Sequence, residues 1–391
     1  MVRRFIEVSA DAMVRLTKAA GWLESCVPAS EVMVITNSAE AGADLLMRTI
    51  DSTGAWFGLR RVTLNVLALR FAQQVLAASG TATATSLTFT SVVARAIHSL
   101  HSAEKLTYFE PVATRPGFPI AVARTLAQLR MNEIDPNSLA KMTRGGKDLA
   151  AIASLVNEEL KEARLSDRAV LFRTAIDSIV EQENRSHHGL PLLLLDIALH
   201  EKLEIELVRA LVAHSPRVLA TVPQGDERTI AAVENALGCH RTNTPPTKAR
   251  NSLSFLKQHL FANSAPPVTP LDSSVTLQNW PGEPRECVEI VRRIQVEAAQ
   301  GVPFDQIAVL LNSPGAYRSH LYEAFGRADI PAYFVRGTKV PDPSGHAMLA
   351  LLACAAEGLS AKRFAEYLSL AQVPASEAEK DVEAQWVAPE D

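Results

Sequence analysis

The feature that most constrains this chain is a set of short, wholly apolar runs, each bounded by polar residues and followed by a helix-like stretch. Val32 to Thr36 reads VMVIT, Pro191 to Asp196 reads PLLLLD, Arg217 to Val222 reads RVLATV and Ile307 to Leu311 reads IAVLL. A run of this length with no polar alternation suits a strand covered on both faces, as in a parallel sheet. The expected fold class is therefore α/β, with RecA-like sheets of the P-loop NTPase type, arranged as two lobes with the second incomplete, plus a helical insertion.

The order of elements follows from the same reading. Residues 5 to 25 carry Met13, Leu16, Ala20 and Leu23 at helical spacing. The strand Val32–Thr36 comes next, then a loop from Asn37 to Ala43, a helix from Leu45 to Ile50, and a strand running into a helix from Val62 to Ala72. Residues 85–187 are mostly helical, and Lys141, Arg144 and Lys147 around Gly145-Gly146 form the densest basic cluster there. Residues 241–274 are rich in Pro, Ser, Thr and Asn and form a linker holding a short helix, Leu253 to Leu260. A strand from Val275 to Gln278 and a helix from Glu283 to Gln300 follow, with Gly301 closing the helix. Asn312 and Ser313 cap the helix after Ile307–Leu311, Pro314 fits its first turn, and Ala332 to Val335 returns as a strand. Met348 to Leu352, with Cys354, reads as core, and residues 376–391 as a polar, disordered tail. The domain expectation is a first lobe over 1–84 and 188–240, an insertion over 85–187, the linker over 241–274, a second lobe over 275–375 and the tail.

At 391 residues, 47% apolar and 21% charged, the chain is an ordinary globular protein. Its net charge of −4 advertises no general affinity for nucleic acid, although a local groove needs only a few Arg and Lys. The four cysteines stand far apart, which suggests neither a zinc site nor a disulfide framework. Reduced buried thiols, the lack of a signal-peptide core in MVRRFIEVSADAMV and the lack of a membrane-length apolar run point to a cytoplasmic protein without membrane contact.

Two stretches sit where nucleotide chemistry is placed on such sheets. The turn after Val32–Thr36 is the position of a phosphate loop, GxxxxGK[ST], in which glycines admit the phosphates and a lysine neutralises them. Here it reads NSAEAGAD, with one glycine, Gly42, no lysine, and the acids Glu40 and Asp44. A carboxylate beside a phosphate repels it by about 4 kcal/mol per pair at 4 Å and an effective dielectric near 20. Ser38 and Thr36 remain as weak anion contacts, or the stretch is a plain turn. Asp196, at the end of four leucines, has the shape of a strand-end carboxylate that holds Mg²⁺, or of a helix cap. Ile197 and Ala198 follow it, not a glutamate base.

The stretch 304–337 resembles the fourth conserved motif of superfamily 1 helicases of the UvrD type, with the strand Ile307–Leu310, Arg318, and the turn Asp329-Ile330-Pro331. Ser344 to Pro374 and the phrase ARLSDRAVLFRTA, Ala163 to Ala175, resemble AddB-type proteins, partners in double-strand-break resection within the PD-(D/E)XK nuclease family. The resemblance spans roughly residues 30–375 and corresponds to the N-terminal third of such a protein. It implies a helicase-like DNA-binding or scaffold part with degenerate ATPase motifs. The nuclease domain and an iron–sulfur cluster held by four cysteines are expected only in fuller members, so no enzyme activity is expected of this chain. The resemblance places degenerate nucleotide contacts at Ser38, Gly42, Asp196, Asp226 of the Gly225-Asp226 pair, and Arg318. It places DNA contacts at Thr63, and the basic cluster adds Lys141, Arg144 and Lys147. No catalytic residue and no resident metal are expected, and vestigial ATP and Mg²⁺ binding is the one cofactor role left open. The implied partners are single- or double-stranded DNA and a helicase-nuclease subunit of the AddA/RecB type. Two other classes stay open: an α/β interaction or small-molecule-binding protein with no DNA role, and an active ATP-dependent helicase.

Overall fold

A computed structural model describes residues 3–26, 31–53, 57–141, 144–181, 189–244, 251–260, 267–268, 270–334 and 343–370. The chain divides into two compact units, Met1–Val275 and Thr276–Asp391.

The first unit is built on β1 (Arg3–Ser9), β2 (Val32–Thr36), β3 (Leu59–Val62), β6 (Leu192–Leu195), β7 (Arg217–Pro223) and β8 (Thr242–Asn243). They form one sheet in the order β3-β2-β6-β7-β1-β8, and every pairing is parallel. Two-residue periodicity assigns the faces. Val32, Val34, Leu193, Leu195 and Leu219 point to one side, against α1 (Ala12–Glu24) and α2 (Ala39–Thr53). Met33, Ile35, Leu192, Leu194, Val218 and Ala220 point to the other, against α3 (Leu64–Ala78), α8 (Arg168–Val180), α9 (Lys202–His214) and α10 (Glu227–Leu237). Because both faces are covered, β2, β6 and β7 carry no polar alternation, as the apolar runs require.

Between α3 and α8 the chain leaves the sheet. β4 (Ala82–Thr83) pairs with β5 (Leu165–Ser166), and α4 (Ser86–Ser102), α5 (Phe118–Met131), α6 (Pro136–Leu139) and α7 (Gly146–Glu162) lie between them. These helices enclose a separate core centred on Val93, Ala96, Leu126, Ile152 and Val156. α8 then packs on α3 and α9, so the last helix of the 85–187 segment belongs to the sheet's core.

The start of α7 shows why its sequence is fixed. A Cβ on Gly146 would stand 2.0 Å from the Leu139 carbonyl oxygen, so only glycine fits. Two residues on, the buried Asp148 carboxylate accepts hydrogen bonds from the backbone N–H groups of Thr107, Tyr108 and Phe109 and from the Thr107 hydroxyl, at 2.8–3.0 Å. Burial alone would raise its pKa, but the donors, led by the Phe109 N–H, bring the carboxyl below its ordinary value.

In the second unit α12 (Glu283–Ala299) packs on α13 (Pro314–Arg327) through Cys287, Val291, Ile294, Leu321, Ala324 and Phe325. α14 (Pro343–Ala356) packs on α15 (Ala361–Leu370). The short helix α11 (Ser252–His259) belongs to the first unit, and the expected linker over 241–274 begins inside the sheet, at β8.

Several expectations are corrected. Residues 5–25 are not one helix: Arg3–Ser9 is a strand between β7 and β8, and α1 starts at Ala12. The loop after β2 is not Asn37–Ala43, because α2 begins at Ala39. Val275–Gln278, Ile307–Leu311 and Ala332–Phe334 pair with no strand among the described residues. Ile307, Val309 and Leu311 rest on the α12–α13 core while Leu310 is 94% exposed. Among the described residues the segment therefore forms no ladder and packs through one side only. Val335, Gly337 and the tail lie outside the described residues. Of the stretch Met348 to Leu352 with Cys354, only Ala350 and Cys354 are core, beside Ala347; Met348, Leu349, Leu351 and Leu352 are exposed.

Asp148→Asn should destabilise the chain by about 1–3 kcal/mol, since a buried carboxylate with four donors is replaced by a group that accepts fewer. Because the folded pKa lies below the unfolded one, Asp148's contribution is present above the unfolded value and lost as pH falls through the folded value. Urea melts of both proteins from pH 7 to pH 3 should therefore show the gap narrowing at the acid end. Gly146→Ala should lower the midpoint at every pH.

Candidate functional site at the sheet's switch point

β2 is followed by β3 on one side of it in the sheet, and β6 by β7 on the other. Their carboxyl ends are therefore a topological switch point, the place where open α/β sheets hold ligands. Thr36, Asn37, Ser38 and Asp196 stand there.

Two residues, Asn37 and Ser38, join β2 to α2. The Thr36 hydroxyl donates to the Ser38 carbonyl at 2.6 Å, and the Ser38 hydroxyl oxygen accepts from the Ala41 N–H at 3.2 Å. Ser38 thus caps α2 in the ordinary way. Gly42 lies inside α2, where a Cβ would meet Thr36 and Arg61 at 3.5 Å, an ordinary approach. Nothing at that position requires glycine. The Asn37 amide donates to the Asp196 carbonyl at 2.7 Å and accepts from the Ala198 N–H at 3.1 Å, tying the two strand ends together.

Asp196 adopts φ 48°, a left-handed conformation that Asp tolerates better than most residues. Its N–H donates to Thr221, at 3.1 Å to both the carbonyl and the hydroxyl oxygen, and its carboxylate accepts from the Thr221 hydroxyl at 2.7 Å. Both carboxylate oxygens also accept from Nε of Arg15, at 2.9 and 3.1 Å. Arg15 comes from the first turns of α1 and donates on to the Ser9 carbonyl at the end of β1 at 2.6 Å. Arg15 is 6% exposed. The residue that sequence reasoning missed is therefore Arg15, a buried cation set in the edge of the sheet against the carboxylate of Asp196. A divalent ion at Asp196 would compete with a guanidinium bonded to both carboxylate oxygens and to the Ser9 carbonyl. Among the described residues there is no group of three His, Cys, Asp or Glu side chains that could hold a metal.

The remaining expected residues are dispersed. Asp226 caps α10, accepting from the Thr229 N–H at 3.0 Å, and the buried Thr229 hydroxyl oxygen accepts from the Leu199 N–H at 3.2 Å. Thr63 caps α3, accepting from the Val66 N–H at 3.4 Å. Lys141 and Arg144, between α6 and α7, and Lys147, in the first turn of α7, are exposed and make no ion pair among the described residues. Arg318 lies on α13 in the second unit, with one guanidinium nitrogen buried and unpartnered among the described residues. The four cysteines form no disulfide among the described residues, and burial pushes the thiols of Cys26, Cys239 and Cys287 up, away from reactivity. No helix of the described residues is long and apolar enough to cross a membrane.

Comparison with known proteins gives no matching family model and no matching curated protein.

The Arg15–Asp196 pair should be visible in a double-mutant cycle. Asp196→Asn and Arg15→Met should each cost about 2 kcal/mol, below the full cost of breaking a buried pair because Asp196 is partly exposed, and their coupling should exceed about 1 kcal/mol. Asp196→Ala should be worse than Asp196→Asn by up to about 1 kcal/mol, since alanine tolerates the positive φ poorly. Thermal or urea denaturation of the wild type, the three single variants and the Asp196→Asn/Arg15→Met double variant measures all of these terms.

Proposed function

We propose that this chain is a non-hydrolysing, helicase-like module that holds DNA and partner subunits, of the kind found in AddB-like proteins of double-strand-break resection. On this reading the first unit is a RecA-like lobe with α4–α7 as its insertion, and α12–α15 open the second lobe. The observation that carries the non-catalytic half is the Arg15 guanidinium on Asp196, together with a two-residue turn in place of a phosphate loop. An active helicase is disfavoured on the same ground: the positions that would hold phosphate and metal are filled by the protein's own hydrogen bonds.

The DNA half rests on the sequence resemblance and on the exposed cations Lys141, Arg144 and Lys147. Lys147 begins α7 beside Gly146 and Asp148, both of which are locked in place. That rigidity suits phosphate contacts that position a strand without reading its sequence. The implied partner subunit is a helicase-nuclease of the AddA/RecB type, which would supply the motor this chain lacks.

Fluorescence anisotropy with labelled single-stranded and forked DNA tests the reading. Binding should weaken steeply between about 50 and 200 mM salt. Lys141→Glu with Lys147→Glu should weaken it uniformly across sequences and flatten the salt slope, by about one unit for each phosphate no longer neutralised. No binding at low salt would favour an α/β interaction or small-molecule-binding protein without a DNA role.

A further inference from the structure

A cleft of about 450 Å³ opens where the helical insertion meets the sheet's helices. That lies within the range of pockets that hold small organic ligands. Its walls are the first turns of α4, one face of α5 and the β5–α8 turn. Phe89, Ile120, Ala123, Ala127 and Leu171 make it largely apolar. Thr83, Thr85, Ser86, Thr90 and Ser166 add a set of hydroxyls.

The charges around it are unequally compensated. Asp167 is buried and receives Nε of Arg130. Arg168 is held by Glu201 and Glu204 and stacks over Phe172 at 4.9 Å. Both of those charges are neutralised inside the protein. Arg124 is different: it lines the cleft, is exposed, and forms no ion pair among the described residues. The amino-terminal end of α4, which also lines the cleft, adds partial positive charge. The cleft therefore combines an apolar floor with one uncompensated cation at its edge.

We propose that this cleft binds a small amphipathic acid, an apolar body with a single anionic group paired to Arg124. The site lies apart from the switch-point network, and the inference does not depend on the DNA reading. A multiply charged ligand fits the cleft less well, since it would find one uncompensated cation beside the hydroxyls and an apolar floor that replaces none of its hydration.

Decanoate is a suitable probe, titrated calorimetrically into the full chain. One binding event per chain is expected. Ala127→Trp, which fills the cleft, should abolish it. Arg124→Glu, at an exposed position that the fold does not use, should weaken it by about tenfold or more while leaving the binding of uncharged decanol unchanged. Leu352→Glu controls for the exposed apolar face of α14 and should leave decanoate binding intact. Circular dichroism and the melting midpoint establish that each variant is folded. The proposal is overturned if wild-type protein takes up no decanoate, if binding survives Ala127→Trp, or if Arg124→Glu has no effect on the acid. It is likewise overturned if an unlabelled single-stranded oligonucleotide displaces decanoate one for one, which would make the cleft part of a nucleic-acid path. Failure of DNA binding in the anisotropy experiment leaves this result untouched, so the two readings fail separately.

Discussion

The carboxyl edge of the sheet depends on one ion pair. Arg15 joins the end of β1, through the Ser9 carbonyl, to the end of β6, through the Asp196 carboxylate, and Thr221 on β7 donates to the same carboxylate. These are the three strands that lie side by side as β6-β7-β1. Asn37 extends the network to the end of β2. A parallel sheet ordinarily leaves strand ends at its switch point open to a ligand. Here the same ends are cross-linked by side chains, so the geometry of a ligand-binding edge is kept while the protein's own groups fill it.

The non-hydrolysing reading rests on that interaction. An aspartate after four leucines is shared by metal sites and by structural caps, and the partner of its carboxylate tells them apart. A guanidinium that is 6% exposed cannot be treated as a mobile surface charge. It is desolvated, and removing its partner would strand it in the protein interior. Asp196 is therefore needed by the fold before it is available to anything else. The same reasoning limits Ser38, whose hydroxyl caps α2, and Asp226, which caps α10.

Much of the first unit was legible because a doubly covered strand leaves a short, β-branched or leucine-rich run bounded by polar residues, too short for a buried helix. VMVIT, LLLL and RVLATV each became strands close to the expected bounds. The first strand was not legible, since RRFIEVS carries two arginines and a glutamate. Its buried Glu7 is tolerated because the Thr244 hydroxyl, 237 residues away, donates to it. Arg15 was missed for a related reason: its partner is 181 residues away, and nothing near it in sequence marks it as anything but a polar helix position. The runs in the second unit misled in the opposite direction. Ile307–Leu311 has the composition of a central strand, but composition cannot supply the neighbouring strands that such a residue pattern needs. The same limit applies to α14, whose leucines suggested core although its alanines are what it buries.

The central claim is that the switch point is closed to nucleotide by the protein's own side chains. Isothermal titration of the purified chain with Mg-ATP tests it most directly. The account predicts no binding heat at submillimolar nucleotide and no change in the melting midpoint. Stoichiometric Mg-ATP binding in the micromolar range, lost in Ser38→Ala or Asp196→Asn, would contradict it.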